Sequence, residues 1–98
     1  MTEWTNEETT SLTNEIKDLI QSDGIDGNSI EVRNNIFSFY VGDDNEYGDQ
    51  NVEIDDEHGG TVEILYDEYN YYGDSPDFEQ IASDIAQSII DYLERIEE

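Results

Sequence analysis

Twenty-seven aspartates and glutamates against three lysines and arginines give this chain of 98 residues a formal net charge of -24. Like charges repel in a compact state, so this surplus opposes folding. The chain must spread its carboxylates over the surface and draw its stability from well-patterned apolar segments. Apolar residues make up 35% of the sequence, a low share that together with high charge marks many disordered chains. Here they fall into periodic segments, which predicts a folded domain carrying acidic loops.

The periodicity gives the element order. Thr5-Asn6-Glu7-Glu8 fits a capping box, and Leu12, Ile16, Leu19 and Ile20 follow at helical spacing. Asp23-Gly24 ends that helix, with Gly24 suited to a left-handed C-cap. Ser29 to Arg33 alternates as a strand, with Ile30 and Val32 on one face. Asn34-Asn35 reads as a two-residue turn, because asparagine tolerates positive φ. Ile36 to Val41 is the most β-prone run, with Phe37, Phe39 and Val41 sharing a face.

An acidic loop, Gly42 to Gln50, precedes a strand at Asn51 to Asp55, which turns Val52 and Ile54 inward. Asp56 to Gly60 reads as a turn. Thr61 to Tyr66 forms the next strand, with Val62, Ile64 and Tyr66 on one face and Tyr66 in the core. Asp67 to Ser75 is a second acidic loop. Ser75 then caps the last helix, with Pro76 at its first position and an apolar stripe of Phe78, Ile81, Ile85, Ile89, Leu93 and Ile96. The expected fold is one α+β domain over residues 1–98. It comprises a small antiparallel sheet of three to four strands, with an N-terminal and a C-terminal helix packed on one face.

Catalysis finds little footing in this sequence. The single histidine, His58, lies in the turn-like Glu57-His58-Gly59-Gly60, and the serines form no elbow or triad pattern. Carboxylate pairs are so abundant that no one pair is informative, and no glycine-rich phosphate loop occurs. The expectation is a chain that is not an enzyme and takes no cofactor. A calcium loop beginning at Asp43 would place Asp43, Asn45 and Gly48 at frame positions one, three and six. Tyr47 and Ile54 then occupy two ligand positions, so no dedicated metal site is expected.

There is no cysteine, which is compatible with a reducing cytoplasm. Residues 1–10 lack the basic and apolar regions of a signal peptide, and no apolar run has the length of a membrane span. The expected location is the cytoplasm.

The carboxylates themselves are the candidate functional groups. Glu53 and Asp55 share a strand face about 6.6–7 Å apart, comparable to phosphates along a nucleic-acid strand. Asp77, Asp84, Asp91 and Glu98 recur every seven residues along the last helix, in steps of about 10 Å. The first helix adds Glu7, Glu8, Glu15 and Asp18. The loops contribute Asp43, Asp44, Glu46 and Asp49, then Asp67, Glu68 and Asp74. Tyr69, Tyr71 and Tyr72 sit among the latter as interface anchors, since tyrosine offers large area at low entropy cost and stacks on guanidinium. Tyr47 is a second anchor, and one or two of these tyrosines could instead cover the sheet. Helix exteriors are ordinarily charged, but ordinary surfaces mix both signs. Only Lys17, Arg33 and Arg95 are basic here.

In net charge, small size, lack of cysteine and acids mounted on a helix–sheet–helix scaffold, the chain resembles the small acidic DNA-mimic proteins of phages and mobile elements, including anti-CRISPR and anti-restriction proteins. The resemblance implies a non-enzymatic inhibitor. It would block the DNA- or RNA-binding site of a basic nucleic-acid-binding protein, without itself contacting nucleic acid or membrane. It would act as a monomer or small homodimer in the host cytoplasm. Two other readings fit the same composition: an immunity protein neutralising a basic nuclease toxin, and a salt-adapted acidic domain with no inhibitory role.

Overall fold

The computed structural model describes residues 4–43, 50–66 and 77–97, with the backbone alone at Asp43, Gln50, Tyr66 and Glu97. The elements are α1 (Asn6–Ser22), β1 (Ser29–Val32), β2 (Asn35–Asp43), β3 (Gln50–Asp55), β4 (Thr61–Tyr66) and α2 (Phe78–Glu97). The four strands form an antiparallel meander in the order β1-β2-β3-β4. Both helices cover the same face, so the fold is the expected α+β architecture.

Local chemistry sets the start of α1. The Thr5 hydroxyl accepts from the Glu8 N–H at 3.0 Å, and the Glu8 carboxylate accepts from the Thr5 N–H at 3.2 Å. Leu12, Ile16 and Ile20 are buried one turn apart. The helix stops at Asp23, and Gly24 takes φ 81°, a conformation glycine adopts without a Cβ clash. The Asn28 side-chain amide then donates to the Gly24 carbonyl at 2.6 Å and secures the exit.

The core joins Leu12, Ile16 and Ile20 of α1 to Ile30, Val32, Phe37, Phe39, Val52 and Ile54 of the sheet and to Ile81, Ile85, Ile89 and Leu93 of α2. Ala82 and Ala86 are also buried, and their small side chains let a neighbouring element pack close to α2. Burying a Leu, Ile or Phe side chain is worth about 1.5–3 kcal/mol, and this single cluster is what offsets the repulsion among the acids.

Four details differ from the sequence expectation. The β1–β2 turn uses Arg33 and Asn34, at φ 49° and 67°, and not Asn34-Asn35; Asn35 begins β2 and donates its side-chain amide to the Arg33 carbonyl at 2.9 Å. Along β4 the register shifts, with Ile54 opposite Glu63 but Asp55 opposite Thr61, which leaves Val62 as the extra residue of a bulge. The bulge breaks the alternation: Val62 is buried and Leu65 packs against the core, while Ile64 pairs with the outward Glu53. The side chain of Tyr66 lies outside the described residues. At the start of α2 Asp77 serves as the cap, its Oδ1 accepting from the Gln80 N–H at 3.0 Å; Ser75 and Pro76 lie outside the described residues. Finally, Ile96 is 51% exposed, so the buried stripe of α2 ends at Leu93.

Candidate functional site: two carboxylate faces

The strand pleat divides the sheet cleanly. One face packs under the helices; the other is open and carries Glu31, Ile36, Ser38, Tyr40, Glu53, Asp55 and Ile64. Register sets these residues in rows. Tyr40 lies opposite Glu53, which lies opposite Ile64; Ser38 lies opposite Asp55. Directly opposed side chains have Cβ atoms about 4.5–5.5 Å apart, so Glu53 is in reach of Tyr40 on one side and of Ile64 on the other.

Glu53 and Asp55 are therefore neighbours on one open face, as their spacing predicts. Asp55 Oδ1 is closed to solvent and has no hydrogen-bond partner. The Glu53 carboxyl titrates above its usual range, first because a proton on it can be shared with Asp55 and second because two adjacent negative charges repel. The pair is a site of concentrated negative charge that its own surroundings do not neutralise.

The second face is the helix layer. Asp77 and Asp91 are exposed and Asp84 is half-buried. Asp84 accepts from the Gln80 side-chain amide at 2.9 Å, and Asp91 from the Gln87 amide at 2.9 Å, each one helical turn back. These bonds hold the carboxylates in place while leaving their charge intact. The helices lie on the other side of the sheet from Glu53 and Asp55, so the structure separates the two acidic groups.

The remaining candidates fall elsewhere. Asp43 ends β2 in register with Gln50. Asp44, Glu46, Tyr47, Asp49, Asp67, Glu68, Tyr69, Tyr71, Tyr72 and Asp74 lie outside the described residues. Glu8 serves the architecture, because Arg33 donates to its Oε2 at 2.8 Å and stacks 3.8 Å from the centroid of the Trp4 ring. The Arg33 hydrogen bond, helped by the Thr5 N–H, holds the Glu8 carboxyl below its usual range. His58 is an exposed turn residue whose N–H donates to Asp56 Oδ1 at 2.9 Å.

Tyr40 and Ile36 were missed as candidates, although 47% and 42% exposed. The signal was present, because placing Phe37, Phe39 and Val41 inward puts Ile36 and Tyr40 outward. Among the described residues no group of three His, Asp or Glu side chains is placed to hold a metal ion. No described helix is long and apolar enough to cross a membrane. No protein-family model, curated protein or solved structure matches the chain, and the case for a function rests on this geometry and charge.

Proposed function

We propose that the chain is a non-enzymatic inhibitor that presents carboxylates in place of phosphates and occupies the nucleic-acid site of a basic protein, such as a Cas effector, a restriction enzyme or a nucleoid protein. The observation that carries this reading is the net charge of -24 combined with carboxylates anchored on helices and strands. A partner's Lys and Arg side chains bind phosphate through charge-assisted hydrogen bonds, and fixed carboxylates satisfy the same donors. Anchoring matters because a pre-ordered acceptor array loses little entropy on binding.

The test is a tagged pull-down from lysate at low salt, followed by elution with duplex DNA. The expected result is one dominant nucleic-acid-binding protein released by DNA. A single partner that DNA does not displace would replace this reading with the immunity-protein one, which the compact row of Tyr40, Glu53 and Ile64 favours. A smear of basic proteins, or none, would overturn both.

A further inference from the structure

We propose that the open face of the sheet is the partner-contact surface, and that its row of Tyr40, Glu53 and Ile64, with Asp55 beside it, receives an arginine side chain of a basic protein. This inference rests on the inhibitor reading and gives it one face and one kind of contact.

Three observations converge on this row. The large apolar side chains exposed among the described residues are Ile36, Tyr40 and Ile96, and two of the three lie on this face. Ile64, half-buried, extends the apolar surface on the far side of Glu53. Between them stands the carboxylate pair of Glu53 and Asp55, two adjacent negative charges on one strand face. Two like charges held side by side repel, and a cationic ligand that reaches both relieves the repulsion.

Charge identifies the occupant. Lys17 lies on α1, Arg33 in the β1–β2 turn beside Glu8, and Arg95 in the last turn of α2, so the row brings no basic side chain of its own. A second copy of the chain would add another -24 and be repelled. Nucleic acid is excluded by the same sign. The segment 67–76 contains Asp67, Glu68 and Asp74 and no Lys or Arg, so it brings no counter-charge. A cationic side chain from another protein meets all three observations.

Arginine fits better than lysine. Its planar guanidinium presents paired donors to two adjacent carboxylates and stacks on a tyrosine ring, while its methylene stem covers apolar neighbours such as Ile64. Lysine supplies the charge without the plane.

The experiment titrates tetra-arginine amide and tetra-lysine amide into isotope-labelled full chain at low salt, following backbone amide shifts by NMR. Shifts are expected to centre on Tyr40, Glu53 and Ile64, with arginine binding about threefold tighter than lysine. E53Q/D55N should weaken arginine binding about fivefold, while the α2 pair E79Q/E94Q, which removes the same charge on the other side of the sheet, changes it less than about twofold. Both variants remove repulsion, so both are expected to fold; circular dichroism checks this. Equal losses in the two variants, shifts spread evenly over the helices, or no preference for arginine would overturn the proposal. The lysate pull-down separates it from the inhibitor reading. Capture of a DNA-displaceable partner by E53Q/D55N at undiminished yield sinks the face and leaves the inhibitor. Peptide binding at this face without any DNA-displaceable partner keeps the face and sinks the inhibitor.

Discussion

Tyr92 donates its hydroxyl to Asp56 Oδ2 at 2.9 Å across 36 residues of sequence, and so ties α2 to the β3–β4 turn. The same ring meets Phe37 edge-on, with centroids 5.7 Å apart at 89°. Asp56 also accepts from the N–H groups of His58 and Gly60. One carboxylate thus organises the turn and fastens it to the helix. The Gly60 and Tyr92 hydrogen bonds hold the Asp56 carboxyl below its usual range, and the hydrogen bond to Asp56 raises the Tyr92 hydroxyl above its own.

Tyr92→Phe keeps the ring against Phe37 and removes only the fastening. It should lower Tm by about 2–5 °C, since a single partly exposed hydrogen bond is modest and a domain of this size is sensitive to it. Asp56→Ala should cost more, because the two turn N–H groups lose their acceptor as well. Thermal melts followed by circular dichroism give the comparison; an Asp56→Ala melt no lower than that of Tyr92→Phe would contradict the account.

Stability should peak in mild acid and not at neutral pH. The Glu53 carboxyl is raised above 4.5 in the fold, so the folded state takes up its proton first and gains stability as pH falls towards 4.5. The Glu8 and Asp56 carboxyls are lowered below 4.5 and 3.8, so their contributions hold above those values and are lost as pH falls through the depressed ones. Chemical denaturation at a series of pH values from neutral down to about 3 would show a maximum near 4.5, the ordinary glutamate value. Glu53→Gln should flatten the rise between neutral pH and that maximum. A steady loss from neutral pH downward would refute the assignment.

Salt should stabilise the fold. Raising ionic strength from about 0.01 M to about 0.15 M shortens the Debye length from about 30 Å to about 8 Å and screens repulsion among the surface acids. With a net charge of -24 and few compensating cations, Tm should rise. The rise should be on the order of 5 °C, equivalent to about 1 kcal/mol in a domain this small. A flat Tm across this range would show that self-repulsion is not a leading cost.

Trp4 offers a spectroscopic readout because it is the one tryptophan in the chain and Arg33 lies over its ring. Arg33→Ala should shift Trp4 emission to the red by opening the ring to water. Arg33→Lys should give an intermediate shift, since lysine keeps the charge and loses the planar stack. Arg33→Gly separates strain from contact: it relaxes the positive φ of the turn yet should shift the emission as far as alanine does. An unchanged spectrum in all three would show that the stack does not persist in solution.

The sequence by itself determined the element order, the cap of α1, the core residues of β2 and β3 and most of those of α2. These follow from periodicities of 3.6 and 2 residues, which a chain displays locally. It also showed that Glu53 and Asp55 share an outward face, because that relation is only a matter of counting by two. Two hairpin details were beyond it. A turn at Arg33-Asn34 and one at Asn34-Asn35 both place Ile30, Val32, Phe37 and Phe39 on the same face, so alternation cannot choose between them. Tertiary structure puts Arg33 in the turn, where it reaches Glu8 and Trp4 at the start of α1. Likewise, Leu65 and Ile64 are chemically interchangeable as core residues. The bulge at Val62 turned Leu65 inward and left Ile64 beside Glu53. What only the tertiary structure decided was that the acids of β3 and those of α2 stand on opposite sides of the sheet. The helices took one side of the sheet and left Tyr40, Glu53 and Asp55 open on the other, because the apolar sides of both helices and of the sheet close on a single core.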